Sequence, residues 1–265
     1  MQVGKDTRAL VTGASRGIGQ ALSQALAARG ATVGLLARSA QQLAQLADRL
    51  PGDHVVLTAD AGQRDEVEGA VKQFIERAGG LDLVVVNAGI ASYGPFRDQD
   101  VETAERMTQV NWLGTVYLVA AALPHLLDRA HGHVVIVSSG AGHRSFPGAA
   151  VYGATKAAQR GFGEALRHEL SGTGVGLTMV YPGEIATTLH DHEKDSMPDW
   201  YRGGSSAAPA EDLAEKVIAA VERDRRAVNH PPLVGALRAL HGLSPRASDH
   251  LLRVLRGRSA APRAG

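Results

Sequence analysis

No cysteine occurs among the 265 residues, which excludes a disulfide framework, a thiolate nucleophile and zinc held by thiolates. That absence fits a reducing compartment, and a cytoplasmic location is expected. Residues 1–8 are short and polar and lack the apolar stretch of a secretory leader. No uncharged apolar run reaches about 18 residues, so no spanning helix is expected. There is no internal repeat and no low-complexity stretch. A large net charge is also missing, since 28 basic side chains face 27 acidic ones. What is present is a 265-residue chain, 44% hydrophobic with 31 glycines. That length fits one large α/β domain better than two small ones, and the glycines imply tight turns and close backbone approaches.

The near-neutral total hides an uneven distribution. Residues 223–265 carry nine arginines against Asp224 and Asp249, so the rest of the chain is net acidic. Short β-branched or apolar runs alternate with longer helical patterns, the signature of parallel βαβ units. Strands are expected near 9–11, 32–36, 55–58, 83–86, 134–137, 177–180 and 227–229. Their near-continuous apolar character, as in Val134-Val135-Ile136-Val137, suits strands covered on both faces. Helices are expected near 17–29, 39–50, 63–78, 100–129, 151–170 and 209–223, with a kink or an end at Pro124 in the fourth. The fold class is therefore α/β, doubly wound, with a seven-stranded mostly parallel sheet and helices on both faces.

The first strand runs into Thr12-Gly13-Ala14-Ser15-Arg16-Gly17-Ile18-Gly19 and then a helix. Glycines there let the backbone turn sharply and approach a pyrophosphate, whose charge meets the helix N-terminus. The spacing is Gly-x-x-x-Gly-x-Gly rather than the commoner Gly-x-Gly-x-x-Gly. Further along, Tyr152 and Lys156 stand four residues apart in a helical pattern and so project from one face. A free phenol titrates near 10, about three units too high for proton transfer at neutral pH. A neighbouring ammonium is expected to stabilise the phenolate and pull that value down.

Taken in order, these motifs resemble the short-chain dehydrogenase/reductase family, which performs nicotinamide-dependent hydride transfer on a Rossmann-type domain. The resemblance spans roughly residues 8–190. It rests on the glycine turn, Asp60, Asn87-Ala88-Gly89, Asn111, Ser139, the Tyr152/Lys156 pair and Pro182-Gly183-Glu184-Ile185-Ala186-Thr187. Val86 departs from it, because family members often carry an Asn there.

The resemblance implies a catalytic set of Asn111, Ser139, Tyr152 and Lys156. Tyr152 would donate the proton, Ser139 would hydrogen-bond the reacting oxygen, and Lys156 would lower the phenol's pKa and hold the nicotinamide ribose. Asn111 would interrupt its helix and hold a water linking Lys156 to solvent. Implied cofactor contacts are Gly13, Ser15, Arg16, Gly17, Ile18, Gly19, Arg38, Asp60 near the adenine, Asn87, Ala88, Gly89, Tyr152, Lys156, Pro182, Gly183, Ile185 and Thr187.

The second strand ends in Ala37-Arg38-Ser39, with no carboxylate to accept the ribose 2′-hydroxyl. Arg38, with Arg16, instead offers donors for a 2′-phosphate, so NADPH is the expected cofactor over NADH. The expected function is reversible, NADPH-dependent carbonyl reduction, on an apolar or lipid-like substrate such as a 3-oxoacyl compound. A non-catalytic NADP(H)-binding scaffold or sensor on the same fold is the alternative.

Substrate contacts are expected from His143 and Phe146, and from Trp200 and Tyr201 in a lid-like stretch at 188–206. Tyr93 and Phe96 are candidates to join them. His190-Asp191-His192-Glu193 reads as a solvated charged segment, and no metal site is expected. After a domain at 1–230, residues 231–258 read as a basic amphipathic extension in two helical halves divided near Leu243-Ser244-Pro245. It is expected to pack on its own domain or an oligomer interface, or to make a peripheral membrane contact. Nucleic acid is not expected, because interleaved aromatics are missing. Residues 259–265 read as a disordered tail. A homodimer or homotetramer is expected through the helix at 151–170, where Ala154, Ala157, Ala158, Gly161 and Gly163 would allow close approach.

Overall fold

The computed structural model describes residues 1–187 and 207–256. The lid-like stretch with His190, His192, Met197, Trp200 and Tyr201, and the tail at 259–265, lie outside the described residues. Seven strands form one sheet: β1 (Arg8–Thr12), β2 (Thr32–Ala37), β3 (Val55–Thr58), β4 (Leu83–Val86), β5 (Gly132–Val137), β6 (Val175–Pro182) and β7 (Ala227–His230). Their order is β3-β2-β1-β4-β5-β6-β7, and every pairing is parallel.

The apolar runs bury both faces of the sheet because successive residues point to opposite sides. Ala9, Val11, Leu83, Val85, Val135 and Val137 join one core with α1 (Gly17–Ala27), α2 (Ala40–Ala47) and α8 (Ala210–Glu222). Leu10, Val84, Val86, Val134 and Ile136 join the other with α3 (Arg64–Ala78), α5 (Gly114–Asp128) and α7 (Ala150–Glu169). Val86, where the family often has Asn, is thus an ordinary core residue, 3% exposed.

The expected helix at 100–129 is three pieces. A regular α4 (Val101–Met107) passes into a π-helical segment (Thr108–Leu113) and then α5. The irregularity falls at Asn111, as the resemblance implied. The helix does not end at Pro124, which lies inside α5. Proline deprives the carbonyl four residues earlier of its partner, and both Pro124 and Ala120 are solvent-exposed, so water can take that place.

By length and hydropathy Val101–Asp128 is also sufficient to cross a membrane, against the sequence expectation. Yet Met107, Val110, Leu118, Val119, Ala122 and Leu126 are buried in the protein, as in the core helix of a sheet protein.

The C-terminal extension forms α9 (Leu233–Leu243) and α10 (Pro245–Arg256), broken at Ser244 as the pattern predicts. Helix α9 lies against β7 and the short α6 (Gly140–His143), α10 lies against α9, and Asp249 pairs with Arg144. Leu233 and Leu243 remain exposed on α9. On α7, Gly163 does not face outward, since a methyl group there would strike Met179 on β6.

In a parallel sheet all carboxyl ends share one edge. The chain order reverses between β1 and β4, which opens a crevice at that edge.

Candidate active site

A cleft of about 370 Å³ lies at this crevice. Its floor is the turn after β1, where Gly13 has φ +66°. A Cβ on Gly13 would meet Asn87 Nδ2 at 2.9 Å, and one on Gly19 would run into the Gly13 carbonyl. Glycine at both positions lets the turn close on the β4 loop and on the start of α1.

Thr12, quoted in the motif but not assigned to the site, ties these parts together. Its Oγ1 donates to the Val85 carbonyl at 3.1 Å and accepts from the Asn87 and Ala88 amides at 2.9 and 3.1 Å. Asn87 Nδ2 returns a bond to the Thr12 carbonyl at 2.9 Å. Helix α1 has no side-chain cap and no acidic residue in its first turn. Its free amides and dipole therefore favour an anion at its N-terminus.

Of the expected cofactor residues, Gly13, Ser15, Arg16, Gly17 and Ile18 line the cleft from the β1 turn. Arg38 and Asp60 line it from the ends of β2 and β3, and Asn87, Ala88 and Gly89 from the end of β4. Tyr152 and Lys156 line it from α7, and Pro182, Gly183, Ile185 and Thr187 from the end of β6. Gly19 does not; it supports the turn from beneath.

Arg16 and Arg38 are exposed, and among the described residues neither has an ion-pair partner. Ser39 beside Arg38 caps α2 through the Gln42 amide at 3.3 Å. Asp60 is already engaged, pairing with Arg106 of α4 and accepting from the Gly62 amide at 2.8 Å. Arg106 also lines the cleft. Nothing local in the sequence marks it, because its partner is 46 residues away.

The other end of the cleft brings together three of the four residues expected to be catalytic, Ser139, Tyr152 and Lys156, with Asn111 behind them. Ser139 lies just past β5 and caps α6, its Oγ accepting from the Ala141 amide at 3.1 Å. That acceptance leaves its O–H proton to give. Tyr152 is 5% exposed, and burial pushes its phenol above the ordinary value; the hydrogen bond with Ser139 opposes that push. Lys156 was expected to lower the phenol. In the protein alone Ser139 is the group that does so, while the Lys156 ammonium, 5.9 Å from the Tyr152 ring centre, is itself brought down to about 8 by burial.

Lys156 Nζ donates to the Val137 carbonyl at 3.2 Å and to Gln159 Oε1 at 3.1 Å. Asn111, fully buried, accepts from the Ile90 amide at 2.8 Å and donates to the Ile90 carbonyl at 2.9 Å and Thr155 Oγ1 at 3.0 Å. It thereby pins the loop after Gly89 against α7 without lining the cleft.

The expected substrate residues divide. Phe146 stacks on Tyr93 with ring centres 5.9 Å apart, and Tyr93 meets Tyr152 edge-on at 5.6 Å. This aromatic row runs up to the proposed acid. Phe96 is 67% exposed, so it takes no part in that row. His143 does not join either. Its ring lies on Tyr181, centres 3.7 Å apart, with Nε2 3.1 Å from Asn229 Oδ1. Burial brings its pKa down to about 4, so it stays neutral and structural at neutral pH. Among the described residues no cluster of three potential metal ligands occurs.

The glycine cradle and the uncapped N-terminus of α1 fit a nicotinamide dinucleotide. The Ser139/Tyr152 end can give a proton and a hydrogen bond to an oxygen.

Comparison with known proteins agrees with this arrangement. The family description "short chain dehydrogenase" matches residues 7–198. An uncharacterized oxidoreductase of Staphylococcus epidermidis is 36% identical over 185 residues, 70% of this chain and 80% of that protein. A short chain dehydrogenase/reductase from Burkholderia phymatum, solved with NAD, superposes with a TM-score of 0.85 at 23% identity, covering 93% of this chain and 96% of the other. An alcohol dehydrogenase from the archaeon Thermococcus sibiricus, solved with 5-hydroxy-NADP, gives a TM-score of 0.74 at 27% identity over 84% and 94% of the two chains. The chain belongs to the short-chain dehydrogenase/reductase family of oxidoreductases.

Proposed function

We propose that the protein is an NADPH-dependent reductase of ketones or aldehydes, acting reversibly on an apolar, lipid-like carbonyl compound. The observation that carries this reading is the cleft's polarity along its length. Unpaired Arg16 and Arg38 flank one end with no carboxylate closing β2, and Tyr152, Ser139 and Lys156 converge at the other. The bound nicotinamide would supply hydride to the carbonyl carbon. As the C=O electron pair moves to oxygen, Tyr152 gives up its O–H proton and Ser139 donates a hydrogen bond to the same oxygen. Lys156, in hydrogen-bonding reach of the cleft, stabilises the phenolate left behind and holds the ribose. The phenolate is then reprotonated from the cleft, which closes the cycle. The Tyr93/Phe146 row beside the acid supports an apolar substrate face, because ring surface there excludes water from the reacting oxygen.

The test is a panel of carbonyl compounds, from small diketones to long 3-oxoacyl thioesters, followed by NADPH absorbance. Turnover should favour the longer apolar members. Tyr152→Phe should bind NADPH with unchanged affinity and lose about 10²-fold or more in kcat. Retained turnover in that variant, or no turnover by the native protein with any member, refutes the reading.

A further inference from the structure

Gln159 lies on α7 one turn beyond Lys156 and is fully buried. A buried amide without partners is costly, and here every polar atom of the side chain has one. Nε2 donates to the main-chain carbonyl of Asn111 at 3.0 Å and to Thr115 Oγ1 at 2.7 Å. Oε1 accepts from Lys156 Nζ at 3.1 Å. Chemistry fixes the orientation of the amide, since a carbonyl can only accept and an ammonium can only donate. Thr115 Oγ1 donates to the same Asn111 carbonyl at 2.7 Å, so both lone pairs of that oxygen are engaged. Asn111 lies within the π-helical winding at 108–113.

We propose that Gln159 is a positioning residue for Lys156: its amide bridges the ammonium to the Asn111 carbonyl, filling the span that the family resemblance gives to a water molecule. This rests on the reductase reading for its catalytic meaning, but the bridge itself does not. Two consequences follow from the chemistry of an amide. First, the ammonium is held at two fixed points, Val137 O and Gln159 Oε1, which leaves one N–H to face the cleft. Second, water can exchange donor and acceptor roles whereas this amide cannot. The inner side of Lys156 is therefore closed to proton exchange, and protons return to Tyr152 from the cleft. Tyr152 on α7 is the titratable group facing the ammonium. The other elements around it contribute the neutral Val137 carbonyl, Gly89 and Asn111 among the described residues.

The experiment follows the Lys156 ammonium by ¹⁵N NMR in the cofactor-free protein, assigned with a Lys156→Arg variant. Gln159→Met keeps length and removes all three hydrogen bonds of the amide; Gln159→Glu keeps shape and adds charge. Losing an acceptor that favours the charged form should lower the Lys156 midpoint by about one pH unit in Gln159→Met. Gln159→Glu should raise it by at least as much. In carbonyl reduction Gln159→Met should lower kcat more than it raises KM for NADPH. A midpoint unchanged in either folded variant overturns the proposal. Absence of reductase turnover in the native protein overturns the function above while leaving the NMR result to decide the role of Gln159.

Discussion

Replacing Arg38 by Asp is the sharpest probe of the cleft. Arg38 directly follows the strand that flanks the adenosine end, is exposed, and among the described residues pairs with no carboxylate. A charge-assisted hydrogen bond to phosphate contributes about 1.5–3 kcal/mol, and the exposed setting argues for the lower value. About 1.4 kcal/mol is a factor of ten, so loss of the guanidinium alone should lower kcat/KM for NADPH at least about tenfold. The introduced carboxylate also accepts from a ribose 2′-hydroxyl and repels a 2′-phosphate, so the NADPH/NADH ratio should fall by about 10²-fold or more. Arg38→Gln separates the two effects, because it removes the attraction without adding repulsion. The assay is steady-state kcat/KM with each cofactor at low and high salt. The Debye length shrinks from about 10 Å at 0.1 M to about 3 Å at 1 M, so the native preference should weaken with salt, and that of Arg38→Gln, which keeps only Arg16, should weaken less. A ratio unchanged in Arg38→Asp would falsify the assignment of this end of the cleft.

Gly19→Ala places a methyl group into the Gly13 carbonyl. Calorimetric titration should show cofactor affinity reduced more than about tenfold, alongside a lower Tm, since backbone has to move. An unaltered titration would mean the turn does not close on its ligand. Acid stability follows from two desolvated imidazoles, one buried and one half-buried. His133 and His143 are brought down to about 4, chiefly by burial, while the unfolded chain takes up these protons near 6.5. Stability is thus complete above about pH 6.5 and is lost as pH falls toward about 4. The slope near pH 5 should approach two protons, or about 2.7 kcal/mol per pH unit, read from urea midpoints. His133→Gln should remove about half of that slope; an identical slope in the variant would place the proton uptake elsewhere.

Much of this was legible because parallel strands covered on both faces must be apolar throughout. All seven expected strands lie within the observed ones, and the sheet is fully parallel. The glycine turn, the Tyr/Lys spacing and the Asn-Ala-Gly segment were legible for a related reason: each is local, and its neighbours in sequence are its neighbours in space. What stayed hidden depends on distant partners. Gln159 reads as a polar residue on a helix until Asn111, 48 residues earlier, is brought beside it. Arg106 reads as surface charge until it meets Asp60. His143 lies in a segment expected to contact substrate, but Tyr181 and Asn229 draw the ring the other way. Gly163 falls on the outward stripe of α7 by composition and on the inward one by rotation. Pro124 looked like the natural breakpoint of its helix, yet an exposed proline perturbs only a carbonyl that water can reach, and the real break is set by a buried asparagine.

That break has a consequence for how the protein can change. A wide turn holds one more residue than the ordinary helix around it, so the stretch at 108–113 carries, in effect, an insertion. Deleting one residue would let α4 and α5 fuse into a single regular rod, with better backbone hydrogen bonds. The same deletion would swing Asn111 by about 100°, off Ile90 and away from Gln159. Local regularity and the assembled centre pull in opposite directions here. A lineage that drifted toward the smoother helix would keep the fold and the cleft while losing the pin that holds the loop over them.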